Sequence, residues 1–188
     1  MITASSFAGL LGRIQGYDLS LCQALNRAAR LRSVQRLFAW VSRAGDGIFW
    51  YALMGALPLL YGAAGLTAAL HMALTAGVGV AVYKLLKGRF VRPRPFAAHA
   101  TIAMGAAPLD RGSFPSGHTL HAVAFSLTVL AYFPGLWWLV APFALLVALS
   151  RMVLGLHYPS DVLAGAAVGA SLAYAGLRTA VAVGALPL

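Results

Sequence analysis

Apolar residues gather in five long blocks, near Ile48–Gly65, Leu66–Leu86, His118–Phe133, Leu136–Leu154 and Val162–Val183. Each approaches the roughly 20 residues an α-helix needs to cross bilayer hydrocarbon, the first and third falling somewhat short. Lipid offers no partner for free backbone groups, so the blocks are predicted as helices. The fold class that follows is all-α, a multi-pass membrane bundle of about five transmembrane helices. Separators are short at Gly62 to Leu66 and at Pro134-Gly135. The exception runs from Phe96 to Phe114, where Pro, Gly and polar residues mix with small apolar ones. Loops of that length are usually functional or disordered; this one joins two polar clusters, so a lid or headgroup-recognition role is expected.

Upstream the pattern changes. Leu21, Leu25, Ala28, Leu31, Val34, Leu37 and Phe38 recur at helical spacing, with Asn26, Arg27, Arg30 and Arg36 between them. Tyr17 to Arg43 is therefore predicted as an amphipathic helix lying on the membrane surface; a helix packed against the bundle on its soluble side fits the same pattern. This divides the chain into an interfacial segment, 1–45, and a transmembrane unit, 46–188. Asp46-Gly47 reads as an N-cap of the first span, with Trp50 and Tyr51 at the interface. Gly165 and Gly169 form a small-xxx-small pair that predicts close helix packing within the bundle.

Composition agrees with a lipid solvent. The 188 residues are 61% hydrophobic and 10% charged, with mean hydropathy +0.81, where a soluble domain carries about a quarter charged residues. Phe7 to Leu11 is short and lacks a small-residue cleavage pattern, so it does not read as a signal peptide. Cys22 is the single cysteine, which excludes a disulfide framework.

Three short clusters break the apolar background: Lys87 to Pro95 (KGRFVRPRP), Pro115 to His118 (PSGH) and Ser150 to Asp161 (SRMVLGLHYPSD). Lys87, Arg94 and Arg92 offer charge-assisted donors to phosphate oxygens, and the interleaved prolines stiffen their backbone. In PSGH, Pro115 suits a helix start and Gly117 allows close backbone approach. Free N–H groups then point at an anion, with His118 on the same turn. His157 precedes Pro159, and Asp161 follows in the first turn of the last span. A carboxylate there can accept one imidazole N–H and leave the other nitrogen as a nucleophile. Arg151 lies about one helical turn upstream. Antiparallel neighbours bring the end of the second span, the start of the third, the end of the fourth and the start of the fifth to one membrane face.

Lys87-x6-Arg94-Pro95, Pro115-Ser116-Gly117-His118 and Ser150-Arg151-x5-His157-x3-Asp161 resemble, position by position, the three-part signature of the type 2 phosphatidic acid phosphatase superfamily. The resemblance implies that His157 is the nucleophile forming a phosphohistidine, that Asp161 orients it, and that His118 protonates the leaving oxygen. It implies phosphate binding by Lys87, Arg94, Ser116, Gly117 and Arg151, with no metal and no cofactor. Larger members have six spans, so this chain looks more like the compact bacterial members that dephosphorylate polyprenyl pyrophosphates. Undecaprenyl pyrophosphate is the expected substrate, with phosphatidylglycerophosphate and phosphatidic acid as alternatives. The expected partners are the bilayer and a lipid phosphate, not nucleic acid. The expected location is a bacterial inner membrane.

Other classes explain less. An intramembrane serine protease using Ser116 leaves Lys87, Arg94 and Arg151 without a role. A metal oxidase using His118, His121, His157 and Asp161 fits poorly in a chain without glutamate. A non-enzymatic carrier of anionic lipids explains the cations but not the paired histidines. Orientation carries a conflict: with five spans, all of the 14 Lys and Arg except Arg178 fall on the active-site side. The positive-inside tendency places that face in the cytoplasm, whereas the resemblance favours the periplasm.

Overall fold

A glycine sets how the longest helical stretch is used. The structure, a computed structural model, describes residues 4–182 and 184, with side chains described from Arg13 onward. Seven α-helices lie among the described residues: α1 Ala4–Asn26, α2 Arg32–Arg43, α3 Phe49–Arg89, α4 Pro95–Ala98, α5 Gly117–Tyr132, α6 Trp137–Val153 and α7 Pro159–Ala182. Within α3, Gly62 sits at φ 58° and ψ −133°, a conformation that a residue without Cβ adopts without clash. Beyond it, Gly65 lies so close to Leu57 that an added Cβ would overlap the Leu57 carbonyl. A straight helix separates residues eight apart by about 12 Å, so the chain folds back at Gly62. The two limbs, 49–61 and 63–89, are the first two predicted spans.

The remaining three blocks form α5, α6 and α7. The stretch Arg32–Arg89, divided by the Gly62 kink, together with Pro134–Val153 and Pro159–Ala182, is long and apolar enough to cross a membrane. The chain is an all-α integral membrane protein. α5 is shorter, at 16 residues, and runs through the middle, burying Leu120, Ala122, Ala124, Phe125 and Val129. Its backbone approaches α7 at two glycines: a Cβ at Gly165 would strike the Ser116 carbonyl, and one at Gly169 the Leu120 carbonyl. Hydrophobicity does not drive helices together in lipid, so this backbone contact supplies the packing instead. The outward surface is leucine-rich, with Leu59, Leu60, Leu74 and Leu163 at least 70% exposed. Thr75, Ser126, Thr128 and Ser150 face inward.

Three expectations change. Tyr17–Arg43 is not one helix: the 3-10 turn Arg27–Arg30 and an extended Leu31 divide it. The break follows from Asn26, whose buried amide donates to the Ala103 and Val153 carbonyls and accepts from Ala103 N–H. Trp50 is not interfacial. It is fully buried among Phe49, Phe125 and Phe143, while Tyr51 is 70% exposed. Asp46 does not cap α3, whose start has no side-chain cap; it sits in a π-helical turn, Ala44–Ile48, that joins α2 to α3.

Candidate active site

Each of the three clusters sits where a helix begins or ends, and backbone bonds tie them together. α6 ends just after Arg151. Gly155, at φ 69°, then reverses the chain so that the Leu156 and His157 N–H groups both donate to the Arg151 carbonyl. A side chain at Gly155 would meet the Ala103 carbonyl at 2.6 Å, so glycine is needed here for both conformation and space. Pro159 opens α7, and Asp161 Oδ2 reaches back to accept the Tyr158 N–H at 2.8 Å. This is the carboxylate half of a capping box. The Ser116 N–H donates to the Asp161 carbonyl at 3.0 Å, joining the second cluster to the third. The Phe96 N–H donates to the Gly155 carbonyl at 3.2 Å, joining the first to the third.

His157 is 2% exposed. Its Nε2 lies 3.1 Å from Arg94 Nη1, which also donates to the Leu156 carbonyl. Its Nδ1 faces Asp161 Oδ2 at 3.9 Å and has no hydrogen-bond partner. That spacing leaves room for a slight closure before a hydrogen bond forms. Burial, with Arg151, Arg94 and Lys87 nearby, holds the His157 ring well below its ordinary pKa. A neutral ring keeps a lone pair for attack.

The cations are already engaged, by a carboxylate that sequence reasoning did not single out. Asp110 accepts hydrogen bonds from Lys87 Nζ, from Arg94 Nη2 at 2.9 Å and from the Tyr83 hydroxyl. Arg94 Nε donates to the Asp110 carbonyl, and Lys87 also donates to the Gly112 carbonyl. Burial pushes the Asp110 carboxyl up, but the bonds from Lys87 and Tyr83 outweigh it and hold the group below the usual range. Asp110 belongs to the long loop, whose first half is tied down by Asn26 at Ala103 and by Gln35 at Gly105. Charge-assisted bonds are each worth roughly 1.5–3 kcal/mol. A phosphate dianion brings more charge and three acceptor oxygens, so it can displace a single carboxylate.

Arg151, 3% exposed, donates through Nη1 to Ser42 of α2, and its Nε has no partner. An unpaired buried guanidinium N–H is a donor held ready for an anion. Gly117 lies under the Tyr83 ring, where a Cβ would come within 2.7 Å. Ser116 is fully buried, with its hydroxyl sharing a hydrogen bond with Thr119 at 3.0 Å. His118, 10% exposed, places Nε2 at 3.5 Å from Asp46 Oδ1. Arg92 does not join the cage. It donates to Asp161 Oδ1 and Asp18 Oδ2, each at 2.7 Å, and lies 4.0 Å over the Tyr158 ring.

A cleft of about 240 Å³ opens beside His118, lined by Asp46, Trp50, Ala76, Val80, Tyr83, His121 and Phe125 among others. Its walls are largely apolar, which suits the first carbons of a lipid chain. One signal in the sequence pointed to the missed residues. The chain has four acidic residues, Asp18, Asp46, Asp110 and Asp161, and every one contacts a cation or histidine of this site. In so apolar a chain each carboxylate needs a reason to be there.

A model of the PAP2 superfamily matches residues 68–184, and the chain belongs to that superfamily. It is 33% identical over 109 residues to undecaprenyl-diphosphatase BcrC of Bacillus subtilis, covering 58% of this chain and 56% of that one. Against the undecaprenyl-diphosphatase of Sulfolobus acidocaldarius it is 26% identical over 181 residues, covering 93% and 84%. The chain spans about half the length of several of the curated relatives it matches. In fold it is similar to the transmembrane PAP2-type phosphatidylglycerolphosphate phosphatase of Bacillus subtilis. That superposition has a TM-score of 0.72 at 23% identity and covers 89% of this chain and 86% of the other.

Proposed function

We propose that this protein is an integral-membrane lipid phosphatase that removes a terminal phosphate through a phosphohistidine. The observation that carries the reading is the convergence of His157, Arg94, Lys87 and Arg151 in one buried cationic cage. In the proposed reaction the substrate phosphate displaces Asp110, and Arg94 turns its donors from the carboxylate and from His157 Nε2 to the phosphate. Nε2 then attacks phosphorus while the P–O bond to the leaving group breaks. His118 delivers a proton to the departing oxygen. Water next attacks the phosphohistidine, returning a proton to His118 and freeing inorganic phosphate. Asp161 accepts the Nδ1–H of His157 and steadies the ring as charge develops. Lys87, Arg94, Arg151 and the Ser116–Gly117 start of α5 hold the phosphoryl oxygens.

The substrate we favour is undecaprenyl pyrophosphate. Two relatives carry that activity in their names, one of them matched along 93% of this chain. The apolar cleft beside His118 supports a lipid leaving group. Phosphatidylglycerophosphate and phosphatidic acid, the alternatives, present a terminal phosphate of the same shape and charge, joined through a monoester instead of an anhydride. We further propose that 1–45 forms an interfacial collar on a catalytic unit 46–188, with Trp40, 75% exposed, at the headgroups. We favour the periplasmic face of a bacterial plasma membrane for the cage, because four of the cations that weigh against this are accounted for by site contacts: Lys87, Arg92, Arg94 and Arg151. Cysteine accessibility at Ala97 and Gly135 from either side tests that orientation.

The nucleophile is tested by His157→Ala, which should be folded and extractable yet without turnover. Rapid-quench labelling should trap an acid-labile phosphoenzyme in the wild type. Full activity in His157→Ala would end this assignment.

A further inference from the structure

The acid step leaves a question about charge. For His118 to protonate a leaving oxygen it must carry a proton while facing Arg151 of α6 and Arg94 of the connecting loop, with His121 on its own helix and His157 across the cage. Burial disfavours a cationic ring most, the Arg151 and Arg94 guanidiniums add to it, and Asp110 acts in the opposite direction. Two of the carboxylates nearby are committed elsewhere: Asp110 to Lys87 and Arg94, and Asp161 to Arg92. A third carboxylate, that of Asp46, 43% exposed, lies 3.5 Å from His118 Nε2.

The turn that carries Asp46 is specific. Gly45 packs where a Cβ would come within 2.6 Å of Val147 of α6, so this side of the turn tolerates no side chain. Gly47 adopts φ 134°, which favours glycine, and lies under the Tyr51 ring. The backbone is thus fixed on both sides of a single residue. The carboxylate it presents makes no helix-capping bond. It lines the same cleft as His118, Tyr83 and His121, the space that suits the leaving lipid. Burial pushes the Asp46 carboxyl up while Arg151 and Arg43 oppose that.

We propose that Asp46 is a positioning residue for the acid step, the counter-charge that keeps His118 protonated beside the leaving-group cleft. The site then holds two carboxylate–histidine pairs with opposite tasks. Asp161 steadies the neutral nucleophile, and Asp46 steadies the protonated acid. At 3.5 Å the Asp46 oxygen lies beyond the usual length of a charged hydrogen bond. The Nε2–H therefore stays available to the leaving oxygen while the carboxylate acts through space. Proton balance is unchanged: Nε2–H passes to the leaving oxygen in the first half-reaction, and the attacking water returns it in the second. The inference rests on His118 being the acid in the proposed function.

Asp46→Asn keeps shape and removes charge. Activity is read across pH with two soluble phosphomonoesters, nitrophenyl phosphate as a good leaving group and a short-chain alkyl phosphate as a poor one. On the alkyl ester, kcat/KM should fall on the order of 10²-fold, the scale of general acid help, with a loss of less than about tenfold on the nitrophenyl ester. The alkaline limb of the pH profile should move to lower pH, because His118 loses its proton sooner. Vanadate affinity should stay as in the wild type, and Asp46→Glu should recover part of the alkyl-ester rate. In a His118→Ala background, Asp46→Asn should add no further loss.

Equal losses on both esters, or weaker vanadate binding with an unmoved alkaline limb, would make Asp46 a counter-ion of Arg151 and overturn the proposal. Should Asp46→Asn fail to fold, Asp46→Ser removes the same charge, and a Ser variant with the wild-type alkaline limb and the wild-type ratio of alkyl to nitrophenyl rates overturns it as well. The two readings separate in the His118→Ala arm. If that variant loses as much on the nitrophenyl as on the alkyl ester, the acid role of His118 falls, and not merely its partner.

Discussion

Arg92→Gln tests whether an arginine outside the phosphate cage holds the nucleophile in place. Arg92 Nη1 donates to Asp161 Oδ1 and Nη2 to Asp18 Oδ2, each at 2.7 Å, and Nη1 also reaches Ser160 Oγ. Asp161 is fully buried and Asp18 nearly so, while Arg92 is 28% exposed. Removing one partner of a buried ion pair costs about 3–5 kcal/mol, because a charge is left without compensation. Water reaches one side of Arg92, so the low end, about 3 kcal/mol, is expected. That corresponds to roughly 6–12 °C of melting temperature for a chain of this size. With Oδ1 unpaired, Asp161 favours its protonated form, and its hold on the His157 ring weakens. A nucleophile-orienting carboxylate can be worth up to about 10⁴-fold; because Asp161 is still present, kcat should fall on the order of 10²-fold. Asp18→Asn is the control: it keeps the Arg92–Asp161 pair, so it should lower stability and leave kcat within about threefold of the wild type. Melting in detergent followed by tryptophan fluorescence, with hydrolysis of a short-chain substrate, reads both quantities. An Arg92→Gln protein with unchanged melting temperature and kcat would refute the reasoning.

Other substitutions probe the cage and the packing beneath it. Arg151→Lys keeps the charge but loses the planar fork and its free Nε–H, so kcat/KM should drop on the order of 10²-fold while Arg27, Arg30 and Arg36 changes to Gln leave soluble-substrate rates alone. Asp110→Asn removes the internal competitor for Lys87 and Arg94, and isothermal titration should show vanadate binding tightened about tenfold or more. Weaker vanadate binding in that variant would mean that Asp110 organises the cations instead. Gly165→Ala drives a methyl into the Ser116 carbonyl, which should lower stability by about 1–3 kcal/mol in a chemical-denaturation assay and separate the second cluster from the third. His157 has a folded pKa below its unfolded value of about 6.5, so the stability tied to its neutral form is present above that pH and is lost as pH falls below it. Melting temperature should therefore decline from about pH 6.5 downward, and His157→Gln should flatten that decline.

The helices and the motif residues were legible in the sequence because their signals are local. Hydropathy marks the five apolar blocks, a turn glycine at Gly62 separates two of them, and Gly165 with Gly169 announces a close helix contact. Lys87, Arg94, His118, Arg151, His157 and Asp161 stood out because polar groups are rare in such a chain and theirs lie at helix ends. What those groups bond to is a long-range matter, and only the tertiary structure decided it. Asp110 lies 23 residues beyond Lys87 and Asp18 lies 74 before Arg92, and neither spacing has a periodicity to betray it. Asp46 read as a cap because a carboxylate before a helix normally is one, yet a π-helical turn between two glycines points it at His118 instead. Trp50 read as interfacial because an aromatic residue at the start of a span normally sits at the headgroups, whereas packing against Phe125 and Phe143 buries it. Local pattern determines where helices run and which side chains are chemically unusual. Charge compensation is settled across the whole fold, since a buried ion takes whichever partner the packing brings within reach.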